Sequence, residues 1–210
     1  MPERVSRKRS KRDSQKKDLD RFEGELAKRE FRVAIFGSAR IKRNDALYKK
    51  IYTLGRMLGE RNIDIVTGGG PGLMEAASKG HKAGSAKTNA HTIGLNIKLP
   101  REQEFNPYLD FKKEFYTFSA RLDSFMQLSN AVVVAHGGVG TLLEFFYTWQ
   151  LEQVEHICHI PIILFGPMWR GLVSWLKSQP LRRGYFDKKD LANIYHAESC
   201  SRVIEIIDKT

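Results

Sequence analysis

One stretch limits the fold of this chain more than any other: the apolar run 131–135, the glycine-rich turn after it, and an aromatic segment. The valine-rich run is typical of a buried strand in a parallel sheet. Three glycines then fall within four residues, and Leu142, Phe145 and Trp149 follow at helical spacing. A strand, a glycine loop and a helix in this order bring together free backbone N–H groups and the positive end of a helix. Such a turn binds anions, phosphate above all.

The same pattern occurs twice earlier in the chain. A short apolar strand from Phe31 ends in Gly37-Ser38, and the strand at Ile63–Val66 runs into the glycine loop 67–72. Strands that alternate with long helices predict a doubly wound, mostly parallel, Rossmann-like α/β sheet in a single domain, residues 31–210. Since the carboxyl ends of parallel strands share one edge, we expect the loops to converge on one ligand. The candidate phosphate-binding residues are Gly37, Ser38, Gly69, Gly70, Gly72, Gly137, Gly138, Val139, Gly140 and Thr141.

Neither longer loop matches a dinucleotide fingerprint or a P-loop. Convergent loops without those motifs fit a single phosphate with a small body attached, such as a nucleoside monophosphate. The alternative, at equal weight, is that these glycines only make tight turns between strands and helices.

Two charged side chains near the loops have both a structural and a functional interpretation. Ser119 is expected to cap a helix whose first turn holds Arg121; a cation there opposes the helix dipole unless an anion lies beside it. The alternative is a solvated surface arginine. Thr141 and Glu144 have the spacing of a capping box. The functional alternative is a carboxylate held beside a bound phosphosugar.

The net charge of +11 is concentrated near the start of the chain. Residues 1–21 contain nine Lys or Arg against four acids, and we treat residues 1–30 as a basic arm with a helix at Leu19, Phe22 and Leu26. Such an arm can hold RNA or an anionic surface by counterion release. It can equally be a solvated tail.

Several classes of protein are not indicated. Two distant cysteines give no disulfide framework, no apolar run is long enough to cross a membrane, and no secretory signal is evident. Six histidines show no metal-binding spacing. We therefore expect a cytoplasmic protein with no metal and no membrane association.

The motifs resemble those of the LOG ("Lonely Guy") family of nucleoside-monophosphate phosphoribohydrolases, often labelled lysine-decarboxylase-like. The hallmark segment stands here as His136-Gly-Gly-Val-Gly-Thr-Leu-Leu-Glu144, and the second glycine loop as Gly68-Gly-Gly-Pro-Gly-Leu-Met74. The resemblance implies hydrolysis of the N-glycosidic bond of AMP or a cytokinin-type nucleotide, without a cofactor. It assigns the catalytic roles to Arg121 and Glu144. It also implies a homodimer, with the helix carrying Phe145, Phe146 and Trp149 as the candidate interface.

Two positions depart from the family pattern. Leu122 stands where the family has a lysine after the arginine, and His136 replaces the hallmark proline. The first removes a cation and the second adds a titratable group near the phosphate loop. A non-catalytic protein of the same fold that binds nucleotide or phosphosugar is therefore the alternative function.

Overall fold

Seven parallel strands form the central sheet of the computed structural model, which describes residues 23–24, 27–28, 30–98 and 104–210. The strands are β1 (Arg32–Phe36), β2 (Asp64–Thr67), β3 (Thr92–Ile97), β4 (Phe111–Phe115), β5 (Ala131–Val134), β6 (Ile162–Phe165) and β7 (Ile194–Ala197). The α-helices of this part of the chain are α1 (Ala46–Glu60), α2 (Leu73–Gly84), α3 (Phe118–Leu128), α4 (Val139–Gln153), α5 (Arg170–Leu176) and α6 (Cys200–Ile207). The predicted doubly wound parallel sheet is confirmed.

The strand order β4-β3-β2-β1-β5-β6-β7 places a switch in chain direction at the centre of the sheet. From β1 the chain builds the sheet outward through β2, β3 and β4, and then crosses back to place β5 on the other side of β1. The loops after β1 and β5 therefore leave the sheet toward opposite faces and open a crevice between them. Ligands of open α/β sheets bind in such crevices.

Alternate residues of the strands supply two hydrophobic cores, one on each face of the sheet. Ala34 and Phe36 of β1 face the core formed with α3, α4 and α5. Val33 and Ile35 face the core formed with α1, α2 and α6. Both faces of β1 are thus fully covered, as a central strand of a parallel sheet requires.

Helices α1 and α2 approach each other closely through four glycines. A Cβ at Gly55 or Gly59 would meet backbone of α2, at Ala77 and at the carbonyl of His81 respectively. A Cβ at Gly80 or Gly84 would in turn meet the backbone of α1. Glycine therefore lets the two helices pack backbone against backbone.

Three predicted boundaries were wrong, each for a local reason. The sequence predicts Asn44 as the cap of α1, but the cap is Asp45, whose carboxylate accepts the Leu47 N–H at 2.7 Å. The cap of α3 is Thr117 rather than Ser119, which lies inside the helix. The sequence predicts a strand from Phe111 to Phe118, but β4 ends at Phe115, because the chain then turns into α3, which begins at Phe118.

The predicted interface helix is α4, and most of its aromatic residues belong to the core. Phe145 is fully buried and Trp149 is nearly so, because both pack under the sheet against Trp169 and its neighbours. Of the three predicted interface residues, only Phe146 is substantially exposed, at 38%.

Of the predicted basic arm, residues 1–30, the charge-rich stretch 1–21 lies outside the described residues, and so does most of the helix predicted from Leu19 to Leu26. Its proposed contact with RNA or an anionic surface stays a prediction. Among the helices of the described chain, none has the length and apolar character needed to cross a bilayer.

Candidate active site

The loops after β1, β2 and β5 are tied together at the carboxyl edge of the sheet. The Ser38 N–H donates to the carbonyl of His136 at 3.0 Å, and the Ser38 carbonyl accepts the Leu73 N–H at 2.9 Å. Gly72 makes the second contact possible: its φ is +68°, and a side chain there would collide with the backbone of Ser38 and Ala39. The predicted convergence of the three loops is present in the structure.

A cavity of about 570 Å³ opens between these loops. Its walls come from the β1 loop, the end of β3, α3 and the start of α4. The lining residues are Gly37, Ser38, Ala39, Arg40, Gly68, Met74, Asn96, Ile97, Phe118, Arg121, Gly138, Val139, Gly140, Thr141 and Glu144. A volume of this size accommodates a nucleotide-sized molecule.

The first turn of α4 presents its N-terminus to the cavity. The helix starts at Val139 with Gly138 as its N-cap, and no side chain caps it. The leading N–H groups of a helix have no partner inside the helix, and the helix dipole adds positive potential there. The capping-box interpretation of Thr141 and Glu144 was therefore wrong, because both residues lie inside the helix and the carboxylate points elsewhere.

Arg121 and Glu144 form a buried ion pair at the cavity wall. The Arg121 Nη1 donates to the Glu144 Oε1 at 2.9 Å, and its Nε donates to the carbonyl of Leu95 at 2.7 Å. Its guanidinium also stacks over the ring of Phe125, 5.0 Å from the centroid. The interpretation of Arg121 as a solvated surface residue was therefore wrong: it is held by α4, β3 and its own helix.

The environment of Glu144 makes it an unusual carboxylate. Burial raises its pKa above the ordinary glutamate value, while the charge of Arg121 and the hydrogen bond from it act in the opposite direction. A buried carboxylate beside one fixed cation is poorly solvated and strongly oriented. It is suited to stabilising positive charge that develops nearby.

Gly68 makes room for this pair. A Cβ at Gly68 would stand 2.6 Å from the Arg121 Nη2 and 2.6 Å from the Met74 Sδ. Any larger residue would push both side chains away from their present positions. Gly68 thus contributes the space that Arg121 occupies.

The predicted phosphate-binding residues divide into two groups. Six of them line the cavity: Gly37, Ser38, Gly138, Val139, Gly140 and Thr141. The other four, which are not among the lining residues, are Gly69, Gly70, Gly72 and Gly137. The carbonyls of Gly69 and Gly70 accept the side-chain amide of Asn106, and a Cβ at Gly137 would collide with the Thr141 side chain. These glycines fix the backbone conformation of the loops without lining the cavity themselves.

Neither departure from the family pattern lines the cavity. Leu122 is buried, with 4% exposure, on a different side of α3 from Arg121. The ring of His136 faces Gly166, where a Cβ would collide with it, and burial lowers its pKa. His136 is thus a titratable group next to the phosphate loop in the chain, but its ring packs at the end of β6 and is not part of the cavity lining.

Sequence reasoning missed six lining side chains: Ala39, Arg40, Met74, Asn96, Ile97 and Phe118. Met74 had a signal, because it follows the glycine loop directly in the second motif. Arg40 had one too, since it lies two residues beyond Gly37-Ser38. No sequence signal pointed to Phe118, because the sequence predicts it at the end of a strand rather than at the start of α3.

One group of potential metal ligands occurs in the described residues, at the opposite edge of the sheet. Ligand atoms of Glu30, Asp64 and His91 lie within 4.8 Å of one another. The guanidinium of Arg32 lies 3.4 Å from Asp64 and 3.8 Å from Glu30, so a cation already compensates the carboxylates. This group is remote from the cavity, which has one carboxylate and no histidine or cysteine in its lining.

The seven-stranded parallel sheet, with a cavity at its switch point, defines a Rossmann-like α/β protein. A family model described as "Possible lysine decarboxylase" matches residues 74–207, well over half of the chain. The chain therefore belongs to that family, and the LOG resemblance of its glycine motifs is confirmed.

A curated relative is the pyrimidine/purine nucleotide 5'-monophosphate nucleosidase of Escherichia coli K12. It is 30% identical over 146 residues, which cover 64% of this chain and 31% of the relative. The match thus spans about a third of the relative's length.

Solved structures share the fold at lower identity. The structural-genomics protein TM1055 is 22% identical with a TM-score of 0.65, over 86% of this chain and 99% of that one. The molybdenum cofactor binding protein of Rippkaea orientalis is 21% identical with a TM-score of 0.66, over 87% and 98%. The molybdenum cofactor carrier protein of Chlamydomonas reinhardtii is 18% identical with a TM-score of 0.61, over 86% and 98%.

Proposed function

We propose that this chain hydrolyses the N-glycosidic bond of nucleoside 5′-monophosphates, releasing the free base and ribose 5-phosphate. One observation carries the proposal: the buried Glu144, oriented by Arg121, lines a nucleotide-sized cavity that the open N-terminus of its own helix, α4, also lines. The helix end supplies N–H groups for a phosphate. The carboxylate is then available for the sugar.

The chemistry follows from this arrangement. Breaking the bond between C1′ and the base nitrogen builds positive charge on the sugar ring, as in glycoside hydrolysis. The electron pair of that bond leaves with the base, which takes up a proton from bulk water. The oxygen of a second water bonds to C1′, and the proton that this water loses passes through Glu144 back to bulk water. Glu144 stabilises the positive sugar and accepts a hydrogen bond, and then a proton, from the attacking water. Arg121 is permanently charged, and it orients the carboxylate rather than donating a proton.

A surface for the base is present at the cavity mouth. The ring of Phe118, at the start of α3, is 51% exposed and lines the cavity. A planar base stacks favourably on an exposed aromatic face. The stacking surface does not select one base over another, and AMP is the first nucleotide to test as a substrate.

The comparisons support the same proposal. The E. coli relative is a nucleosidase of nucleotide 5'-monophosphates by its name. The molybdenum cofactor carriers favour the alternative, a protein of this fold that binds its small molecule without turnover. The buried ion pair supports hydrolysis over binding alone, because a protein that only binds its ligand has no need of a poorly solvated carboxylate in the cavity wall.

The test is release of free base from AMP, GMP, CMP and UMP by the full chain, measured by liquid chromatography. Wild type is expected to release base from at least one of them, and Glu144→Gln to lose the activity while still binding the nucleotide. Glu152→Gln is the matched control, because Glu152 is also buried on α4 but pairs with Asn193 and His159 away from the cavity. Equal rates for Glu144→Gln and wild type, or binding without base release by wild type, would overturn the proposal.

We also propose that the protein is a cytoplasmic homodimer that uses the outer face of α4. Leu143 and Phe146, at 44% and 38% exposure, form an exposed apolar stripe there that continues to Val139 at the mouth of the cavity. Leu143→Glu is expected to convert a dimer to a monomer in light scattering. Val154→Glu makes the same change just beyond the helix and should leave the mass unchanged. A monomeric wild type would refute this assembly.

A further inference from the structure

Arg40 stands on the side of the cavity formed by the loop between β1 and α1. The loop is held firmly, because the Ser38 Oγ accepts the Arg40 N–H at 3.1 Å while the Ser38 backbone bonds to the other two loops. The side chain is exposed and lines the cavity together with Gly37 and Ser38. The backbone that carries Arg40 is therefore fixed, while its guanidinium is accessible to a ligand.

The charged side chains that line the cavity carry a net positive charge. They are those of Arg40, Arg121 and Glu144. Arg121 is committed to Glu144 and to the Leu95 carbonyl, so these two charges compensate each other. Within the described ranges, the Arg40 guanidinium has no ion pair and no hydrogen bond. The uncompensated charge of the cavity is the positive charge of Arg40.

A phosphate at the N-terminus of α4 needs more positive charge than the helix end supplies. The end of a helix is equivalent to roughly half a positive charge, whereas a nucleotide 5′-phosphate carries close to two negative charges at neutral pH. A guanidinium presents a planar pair of donors that matches phosphate oxygens. Arg121 already donates to Glu144 and to the Leu95 carbonyl, and the Glu144 carboxylate compensates its charge, so the pair adds no net positive charge for a phosphate.

We propose that Arg40 binds the 5′-phosphate and thereby makes the site selective for nucleoside 5′-monophosphates over nucleosides. This inference rests on the proposed function, since it names the residue that recognises the substrate's phosphate. The two arginines of the cavity then have different roles: Arg121 orients the Glu144 carboxylate, and Arg40 binds the 5′-phosphate.

Calorimetric titration of the full chain with AMP, ribose 5-phosphate and adenosine tests the inference. Arg40→Gln is expected to weaken the binding of AMP and of ribose 5-phosphate by about 10- to 100-fold, the usual cost of losing a charge-assisted hydrogen bond. Adenosine binding should change by less than about twofold. Arg40→Lys should retain part of the affinity, because it keeps the charge but not the planar pair of donors. The matched control is Lys42→Gln, which removes one exposed cation from the same loop outside the cavity lining.

The outcomes separate this inference from the proposed function. Binding that depends on Arg40, in a wild-type protein that releases no base, supports the role of Arg40 and refutes only the hydrolysis. Unchanged binding of AMP and ribose 5-phosphate by Arg40→Gln overturns the role of Arg40, whatever the activity. An equal loss for adenosine, or an equal loss in Lys42→Gln, also overturns it, because the effect would then not be specific to the phosphate.

Discussion

The Arg121 Nη1 lies 2.9 Å from the Glu144 Oε1, so an arginine on α3 holds a carboxylate on α4 although 23 positions separate them in the chain. Both side chains are almost entirely buried, and the arginine is fixed a second time by the Leu95 carbonyl. The pair joins two helices across the end of the sheet and fixes the orientation of the one carboxylate in the cavity lining.

The first prediction concerns the energy of this pair. Arg121→Met and Glu144→Gln should each destabilise the fold by about 3 kcal/mol, because each leaves a buried polar partner behind. The double variant should be more stable than the sum of the single effects by about 1 to 3 kcal/mol. Urea unfolding of the four proteins measures this coupling. The exposed pair Arg56 and Glu60 on α1 is the control, with an expected coupling below about 1 kcal/mol; equal couplings would contradict the prediction.

The second prediction concerns the space beside Arg121. Gly68→Ala should keep the fold, because the crowded atoms are the ends of the flexible side chains of Arg121 and Met74. It should lower kcat for base release by about 10-fold or more, since small displacements of catalytic groups are costly. Steady-state kinetics with circular dichroism checks both statements. Gly171→Ala, where a Cβ meets nothing, is the control, and wild-type kcat in Gly68→Ala would refute the idea.

The third prediction is the pH dependence of the proposed reaction. The carboxylate of Glu144 must be ionised to stabilise a positive sugar, and burial raises its pKa in the folded protein. The acid limb of kcat/KM should therefore lie above the ordinary glutamate value of about 4.5, with activity lost as the pH falls through it. A pH–rate profile on AMP gives the midpoint. A limb at or below the ordinary value would show that Glu144 is not the group that titrates.

The fourth prediction concerns stability at mildly acidic pH. His81 is fully buried, and this burial lowers its pKa even though its Nε2 hydrogen-bonds to the Ile63 carbonyl at 2.9 Å. The neutral His81 side chain makes its full contribution to stability at pH values above about 6.5, the pKa of a histidine in the unfolded chain. This contribution is lost as the pH falls below that pKa, because the unfolded state binds the proton more readily than the folded state. The loss between pH 7.5 and 5.5 is at most about 1.4 kcal/mol.

Urea unfolding at the two pH values measures this loss for wild type and for His81→Gln. The variant should lose less than wild type. A residual loss is expected from His136, whose pKa is also lowered by burial. Identical losses in the two proteins would exclude His81 as a source.

The fifth prediction addresses the contact between α1 and α2. Alanine in a helix is favoured over glycine by about 1 kcal/mol, but a Cβ at Gly80 would run into the backbone of Tyr52. Backbone cannot rotate away, so Gly80→Ala should destabilise the fold by about 3 kcal/mol or more. Gly171→Ala, with open space around it, should be neutral or slightly stabilising. Thermal and urea unfolding give both values, and similar stabilities would contradict the proposed close packing.

The architecture could be predicted because its signals are local. The valine run of β5 and the glycines after β2 and β5 are read within a few neighbouring residues, and each marks where a strand ends and a helix begins. Helix caps were less predictable. The caps are Asp45 and Thr117, although the nearby Asn44 and Ser119 have similar capping ability. The choice there depends on where the chain leaves the sheet.

The sequence by itself determined the alternation of strands and helices, the family, and the identity of Arg121 and Glu144 as candidates. Only the tertiary structure decided that these two side chains touch, that Gly68 makes room for them, and that Arg40 lines the same cavity with no charged partner among the described residues. It also showed that neither Leu122 nor His136 is among the residues that line the cavity. The physical reason is the range of the interactions: backbone conformation follows from near neighbours, whereas pairing, burial and free charge depend on residues that only the folded sheet brings together.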